Sequence, residues 1–454
     1  MGEVTRLVLA GGHVVDPVNG VNGPADLLIV DGRVEAVGRD LPIESGTTVI
    51  DVPRHGVVCP GFIDMHAHLR EPGHEHKETI ATGVAAAVAG GFTAVACMPN
   101  TIPVNDHAGV TRFIQEKAAQ AGLARVYPVG AVTKGRDGEQ LAEIGELHAA
   151  GCVAISDAGR PVANALLMRR ALEYASMFDM PVVDHCEDRS LAGDGVAHEG
   201  HQGAVLGLRG LPAAAEEIIA ARDVVLSGLT GAAVHLAHLS TRGAVRTVRD
   251  GKSRGVPVSC EVSPHHLTLT DDRLAGYDTN YKMNPPLREA ADLEALLEGV
   301  KDGTIDCIAT DHAPHHYDEK DAEFDAAPFG VIGLETAVAV CLDRLVHAGH
   351  VTLVRFVELL SVNPATILRV PGGTLGVGVP ADITVLAPEL TVTVDPSGFR
   401  SLARNTPFDG WTLRGGVAAT IVGGRVVYAN TAADGAGAFA DAMTRPSGAP
   451  SIAS

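Results

Sequence analysis

The sequence predicts an α/β fold: a (β/α)8 barrel of the TIM type, carrying a small β-sandwich formed from both chain ends. Three observations lead there. Eight aliphatic runs alternate with helix-like stretches through the middle of the chain. Two β-rich pieces of similar style flank that middle. Finally, Asp, His, Asn or Arg stand where the aliphatic strand stops in at least six of the eight runs. Strand ends of a barrel converge on one face, where active sites form.

The elements follow in order. Residues 1–56 contain LVLAGGHVVD, DLLIVDGRVEAVG and TTVIDV, apolar stretches punctuated by Gly, Asp and Asn in the manner of hairpins. Residues 57–373 carry the runs VVCPGFIDMHAH, GFTAVACMPN, RVYPVGAVT, GCVAISDAG, MPVVDHCED, AVHLAHLS, VPVSCEVSPHH and DCIATDHAPH. Between them lie KETIATGVAAAVAGG, PAAAEEIIAARDVVLSG and DLEALLEGVKDG, which read as helices. Eight such repeats over roughly 300 residues are what a (β/α)8 barrel needs. A doubly wound sheet is the alternative, but it has fewer strands and a Gly-rich nucleotide turn. Residues 374–430 return to the hairpin style with ADITVLAP, LTVTVD and VAATIVGGRVVY. Neither flank alone suffices for a sizeable core, so the two are expected to share one sandwich. The Ala/Gly/Ser/Pro-rich stretch 431–454 is expected to be disordered.

Composition excludes several functions. With 35 Lys and Arg against 55 Asp and Glu, the net charge is −20, a poor basis for holding nucleic acid by its phosphates. No polybasic segment offers itself to anionic lipid. The longest nearly apolar run, Gly83 to Pro99, is broken at Gly90-Gly91 and is expected to be helix, turn and strand. The N-terminal residues lack a secretory pattern. Seven cysteines without framework spacing read as reduced thiols, so a cytoplasmic location is expected.

The strand ends supply candidates for chemistry. His66 and His68 sit at i, i+2 at the end of the first run, and the same face takes Asp157, His185, His235, His238 and Asp311. Imidazoles with a carboxylate suit Zn²⁺. A lone His-x-His is weak evidence, as His74 and His76 show by repeating the spacing in a polar loop. The His198–His201 string HEGH lacks metalloprotease spacing. Asp157 could equally be a turn or helix N-cap residue. Arg70, two residues past His68, could hold a carboxylate bidentately, or form a surface ion pair with Glu71 or Glu75.

The strings GFIDMHAHLREPGHEHKE, GGFTAVACMPNT, VVDHCED, AHLST, KMNPPLR and IATDHAPH resemble, in order, the motif series of the type I dihydroorotases of the amidohydrolase superfamily. The resemblance runs from about residue 5 to 430. It implies the barrel with its split sandwich, and reversible interconversion of N-carbamoyl-L-aspartate and (S)-dihydroorotate in pyrimidine biosynthesis. It implies that His66, His68 and Asp311 bind a first zinc and His185 and His238 a second. Asp157 would bridge them where related enzymes have a carboxylated lysine; one zinc instead of two stays open. Asp311 would also be the catalytic acid–base. Arg70, Asn100 and His315 would meet the substrate carboxylate, with Asn284 and the Phe329-Gly330 backbone at the ring edge. His312 and His316 receive no role. The resemblance also points to a homo-oligomer and to aspartate transcarbamoylase as a partner. The segment 317–330 is expected to close over substrate, and Cys186 beside His185 to be a buried apolar thiol or a soft competing ligand.

A hydantoinase, dihydropyrimidinase or allantoinase is disfavoured by Arg70 and by the absent strand-end lysine. An inactive scaffold for aspartate transcarbamoylase would have lost ligands that this chain keeps. Nucleotide-binding loops and a Gly-x-Ser-x-Gly elbow are absent.

Overall fold

Every one of the eight aliphatic runs becomes a parallel strand of one nearly closed barrel. The computed structural model describes residues 5–444. The barrel strands are β1 (Phe62–Ala67), β2 (Phe92–Cys97), β3 (Arg125–Gly130), β4 (Ala154–Ile155), β5 (Val182–Asp184), β6 (Val234–Leu236), β7 (Val258–Val262) and β8 (Cys307–Ile308). They pair in chain order. His312 closes the ring: it bridges Ala67 and Val331 in parallel, and its carbonyl accepts the His68 N–H at 2.8 Å. The barrel interior is filled by small or slender residues, among them Ile63, Met65, Ala94, Ala96, Val129, Ala154, Val183 and Ala237. Outward-facing Val95, Ile155, Val182, Leu236 and Ile308 pack with the helices in a larger core.

Local sequence sets the connections. The helix Ile80–Ala89 begins at Thr79, whose side chain accepts from the Thr82 N–H. It ends at Gly90-Gly91, as the break in the apolar run requires. A Cβ on Gly90 would meet the Leu334 carbonyl oxygen at 1.9 Å, and Gly91 has φ +90°, so only glycine lets the helix turn straight into β2.

The chain ends build one continuous mixed sheet. Its order is Arg425–Ala429, Thr412–Val422, Ile383–Thr393, Val57–Pro60, Arg6–Asp16, Val21–Val30 and Arg33–Gly38, with Thr48–Asp51 beside Arg6–Asp16. Val57–Pro60 is therefore not barrel. The first run breaks at Gly61, and its front half joins the terminal sheet, antiparallel to Ile383–Thr393. Apolar periodicity continued across that break, so the sequence placed the boundary four residues early.

The expected disordered tail is corrected over the described part, 431–444. A helix, Gly437–Thr444, packs on the terminal sheet, and Phe439, Ala433 and Ala436 enter its core. Burying one Phe is worth about 2–3 kcal/mol, which a low-complexity reading of the composition overlooks. Residues 445–454 of that expectation lie outside the described residues. Among the described residues, no helix is long and apolar enough to cross a membrane.

Candidate active site

The barrel mouth gathers histidines around Asp311. His66 Nε2 lies 3.7 Å and His68 Nε2 3.4 Å from Asp311 Oδ1. These three buried residues form a group able to hold a metal ion. Two donors at ~2.0–2.1 Å from a tetrahedral ion stand about 3.3 Å apart, and the observed spacings are close to that. Burial pushes the Asp311 carboxyl up, but the hydrogen bond to His68 and the charges of His66 and His238 outweigh it. The group stays far below the ordinary carboxylate range. His185 and His238 come together beside them: His185 Nδ1 is 3.1 Å from His238 Nε2, and the His238 ring centroid is 5.0 Å from that of His66. Their other nitrogens, His185 Nε2 and His238 Nδ1, are buried without a hydrogen-bond partner. Burial, with the neighbouring His185, holds His238 well below the usual histidine range.

The two histidines of β1 are oriented by acceptors behind them. His66 Nδ1 donates to Glu261 Oε1 at 2.9 Å, and His68 Nδ1 donates to Asn100 Oδ1 at 2.8 Å. These Nδ1 contacts orient both rings with Nε2 toward Asp311, the arrangement that ligating histidines use. Glu261 does more. Its Oε2 accepts from His235 Nε2 at 3.2 Å, and its Oε1 also accepts the His238 N–H at 3.3 Å. It is 1% exposed, and its histidine partners hold it ionised against burial. Sequence reasoning missed Glu261. Its signal was a lone carboxylate inside the aliphatic run VPVSCEVS, which a barrel interior accepts only with partners.

Asp157 sits at the end of β4 but is not part of the His66, His68 and Asp311 group. One carboxylate oxygen accepts from the Val132 and Thr133 N–H groups at 2.9 and 3.1 Å, and the other from the Thr133 hydroxyl. Burial raises its pKa.

Arg70 and His315 do meet. Arg70 is buried, donates from Nε to the Pro314 carbonyl at 3.1 Å, and places Nη2 3.4 Å from His315 Nε2. It makes no ion pair with Glu71 or Glu75: Glu71 pairs with Lys117, and Glu75 accepts from the Gly73 N–H. Burial lowers the guanidinium to about 10. Asn100 is engaged at His68, as above, and Asn284 donates to Glu187 at 2.7 Å. The Phe329 carbonyl accepts from His315 Nε2 at 2.9 Å, while the Gly330 N–H is spent on the Lys282 carbonyl.

Three residues of the site carry backbone strain. Arg70, His238 and Asp311 all have positive φ, of 63°, 32° and 48°. Non-glycine residues so held cost of order 1–3 kcal/mol each and persist at functional sites.

His76, His198 and His316 stand apart. His76 is exposed near Glu319, His198 is tied to Arg288, and His316 caps the helix Tyr317–Lys320. His312, besides closing the barrel, lies 3.4 Å from Glu78. Cys186 belongs to a second metal-capable group with Asp184 and Asp223. There Arg222 Nη2 stands 3.1 Å from Asp184 and 2.7 Å from Asp223, so a guanidinium already fills the cation's place.

A parallel barrel with a His-x-His strand end, further histidines just after β5 and β6 and an Asp after β8 defines the amidohydrolase class of barrel enzymes. Comparison with known proteins narrows this. Residues 55–244 match the family model described as Dihydro-orotase-like. A dihydroorotase of Anaeromyxobacter dehalogenans strain 2CP-C is 54% identical over 94% of this chain and 99% of its own. One from Pelotomaculum thermopropionicum is 54% identical over 93% of this chain and 98% of its own. Among solved structures, the L-hydantoinase (dihydropyrimidinase) of Arthrobacter aurescens is similar with a TM-score of 0.83 and 25% identity, covering 92% of this chain and 95% of its own. A dihydropyrimidinase from Brevibacillus agri NCHU1002, at 23% identity and TM-score 0.81 over 96% and 97% of the two chains, shares the fold. The chain belongs to the dihydroorotase family.

Proposed function

We propose that the protein is a zinc-dependent dihydroorotase, interconverting N-carbamoyl-L-aspartate and (S)-dihydroorotate plus water in pyrimidine biosynthesis. The observation that carries it is the pairing of two sites within a few residues of chain. His68 and Asp311 belong to a metal-capable group, and Arg70 and His315, two and four residues further on, form a buried cationic pocket. One would act on the amide, and the other would hold a carboxylate that hydantoins and dihydropyrimidines lack. The seven free cysteines support a cytoplasmic location.

The donor set fits zinc, with borderline imidazole and carboxylate ligands. We assign a first ion to His66, His68 and Asp311 and a second to His185 and His238. Asp157 would bridge them once it gives up hydrogen bonds from Thr133. Bound zinc supplies Lewis acidity, activating water near neutral pH and polarising a carbonyl.

The chain's own residues do the rest. Asp311 takes the proton of the attacking water at a carboxylate oxygen and returns it to the ring nitrogen as the C–N bond breaks. Ring closure runs the same transfers backwards. Arg70 and His315 fix the substrate carboxylate, and Asn284 with the Phe329-Gly330 backbone bounds the ring. The net charge of −20 repels an anionic substrate, so attraction has to be local.

Replacing Arg70 by Ala is expected to raise KM for dihydroorotate about 10- to 100-fold, the worth of a charge-assisted pair. Steady-state kinetics of purified protein checks this; an unchanged KM would remove Arg70 from the carboxylate site. The outer helix Ala213–Thr230 exposes Ala214, Ile218, Ala221, Val225 and Gly228 at alternating spacings of four and three. That apolar stripe supports the reading of a homo-oligomer, and sedimentation as a monomer would count against it.

A further inference from the structure

The segment 317–330 is fastened down by two lysines, Lys282 and Lys320, whose ammonium groups are held by backbone carbonyls. Lys320 is 6% exposed, and its Nζ donates to the carbonyls of Pro328 and Gly330 at 3.0 Å and of Lys282 at 3.4 Å. No carboxylate lies within ion-pair distance of it among the described residues. A buried ammonium without a counter-ion is costly, and a Met or Leu would fill the space as well. Three carbonyl oxygens around one nitrogen use all three N–H groups of the charged form.

Those carbonyls lead to the substrate pocket. The Gly330 N–H donates to Lys282 O at 2.9 Å, so Lys320 gathers both ends of that contact. The adjoining Phe329 carbonyl accepts from His315 Nε2, which faces Arg70. A second route is Asn405, whose Nδ2 donates to Gly330 O and Ala313 O at 3.1 Å and whose Oδ1 accepts the His315 N–H at 3.2 Å. Lys282 holds the other face of the segment, donating to Phe324 O and lying 4.8 Å from the Phe329 ring centroid.

We propose that Lys320 is a positioning residue for substrate binding. Its ammonium fixes the Phe329-Gly330 backbone and thereby sets His315 against Arg70. The inference rests on reading Arg70 and His315 as the pocket for the substrate carboxylate. Segment 317–330 is then a docked wall of the site, in place of a free lid. Burial lowers Lys320 to about 7, with Lys282 adding to the effect and Asp278 opposing it. The anchor is therefore complete below that pH.

The test uses Lys320→Met, with Lys320→Gln as a second variant should the first fold poorly, both at pH 6. Ring closure of N-carbamoyl-L-aspartate is expected to show KM raised about 10-fold with kcat within about 3-fold of wild type. Amides of 329–331 are expected to exchange with deuterium at least about 10-fold faster, with the barrel helices unchanged. Adding His315→Asn to Lys320→Met is expected to raise KM by much less than it does alone, because both act on one contact. A fall in kcat at unchanged KM, or unchanged exchange at 329–331, would overturn the proposal. If the wild-type protein turned over neither substrate, the reading of the pocket would fail, while the exchange measurement would still decide the anchoring role.

Discussion

Replacing Asp311 by Asn is expected to reduce dihydroorotate hydrolysis about 1,000-fold while the protein keeps its metal. Asn preserves the shape of the side chain and one oxygen directed at His66 and His68, the atoms 3.7 and 3.4 Å from Asp311 Oδ1. What it loses is the ability to accept a proton and hand it on. A positioned acid–base is worth about 10²–10⁴-fold in rate. Its neighbours hold the carboxyl ionised, so an unprotonated oxygen is present at neutral pH. Metal counting and turnover on the same sample separate the two roles. Full activity in the variant would remove Asp311 from proton transfer, and loss of metal would restrict it to a ligand.

The second large effect is expected at a residue that touches neither substrate nor metal. Glu261→Leu should weaken metal binding about 10- to 100-fold, the usual cost of deleting a group behind a ligating histidine. Leu would leave the His66 Nδ1–H and the His235 Nε2–H, now 2.9 and 3.2 Å from carboxylate oxygens, buried without acceptors. His66 would then be free to present the wrong tautomer to the ion. Breaking such a buried network also destabilises the fold by about 3–5 kcal/mol. Titration against a chromophoric chelator gives the affinity, and circular dichroism of the same sample checks folding. Unchanged affinity in a folded variant would show that Glu261 does not orient His66.

The barrel was legible because its strands lie in eight aliphatic runs, at least six of which end at a polar residue. The His66, His68 and Asp311 group was legible for the same reason: strand ends meet at one mouth, whatever their separation in sequence. What sequence did not reveal was contact between side chains from different strands. Glu261 reads as an ordinary interruption until the fold sets it between His66 and His235. Asn100 was expected at the substrate, yet its amide oxygen supports His68. Lys320 looks like any surface lysine of a polar loop, and only the packing of 328–330 onto it reveals a buried charge. The split at Gly61 is not legible because both halves of VVCPGFIDMHAH are fully buried strand, so the pattern gives no sign that the chain changes sheets.

The barrel mouth is expected to hydrolyse a cyclic amide with the help of bound zinc. The most direct measurement is dihydroorotate turnover before chelation, after metal removal verified by counting, and after zinc is restored. The expected result is one or two zinc ions per chain at the start, turnover lost in step with them, and recovery when zinc is added back. Full turnover surviving complete metal removal would show that the barrel mouth works without zinc.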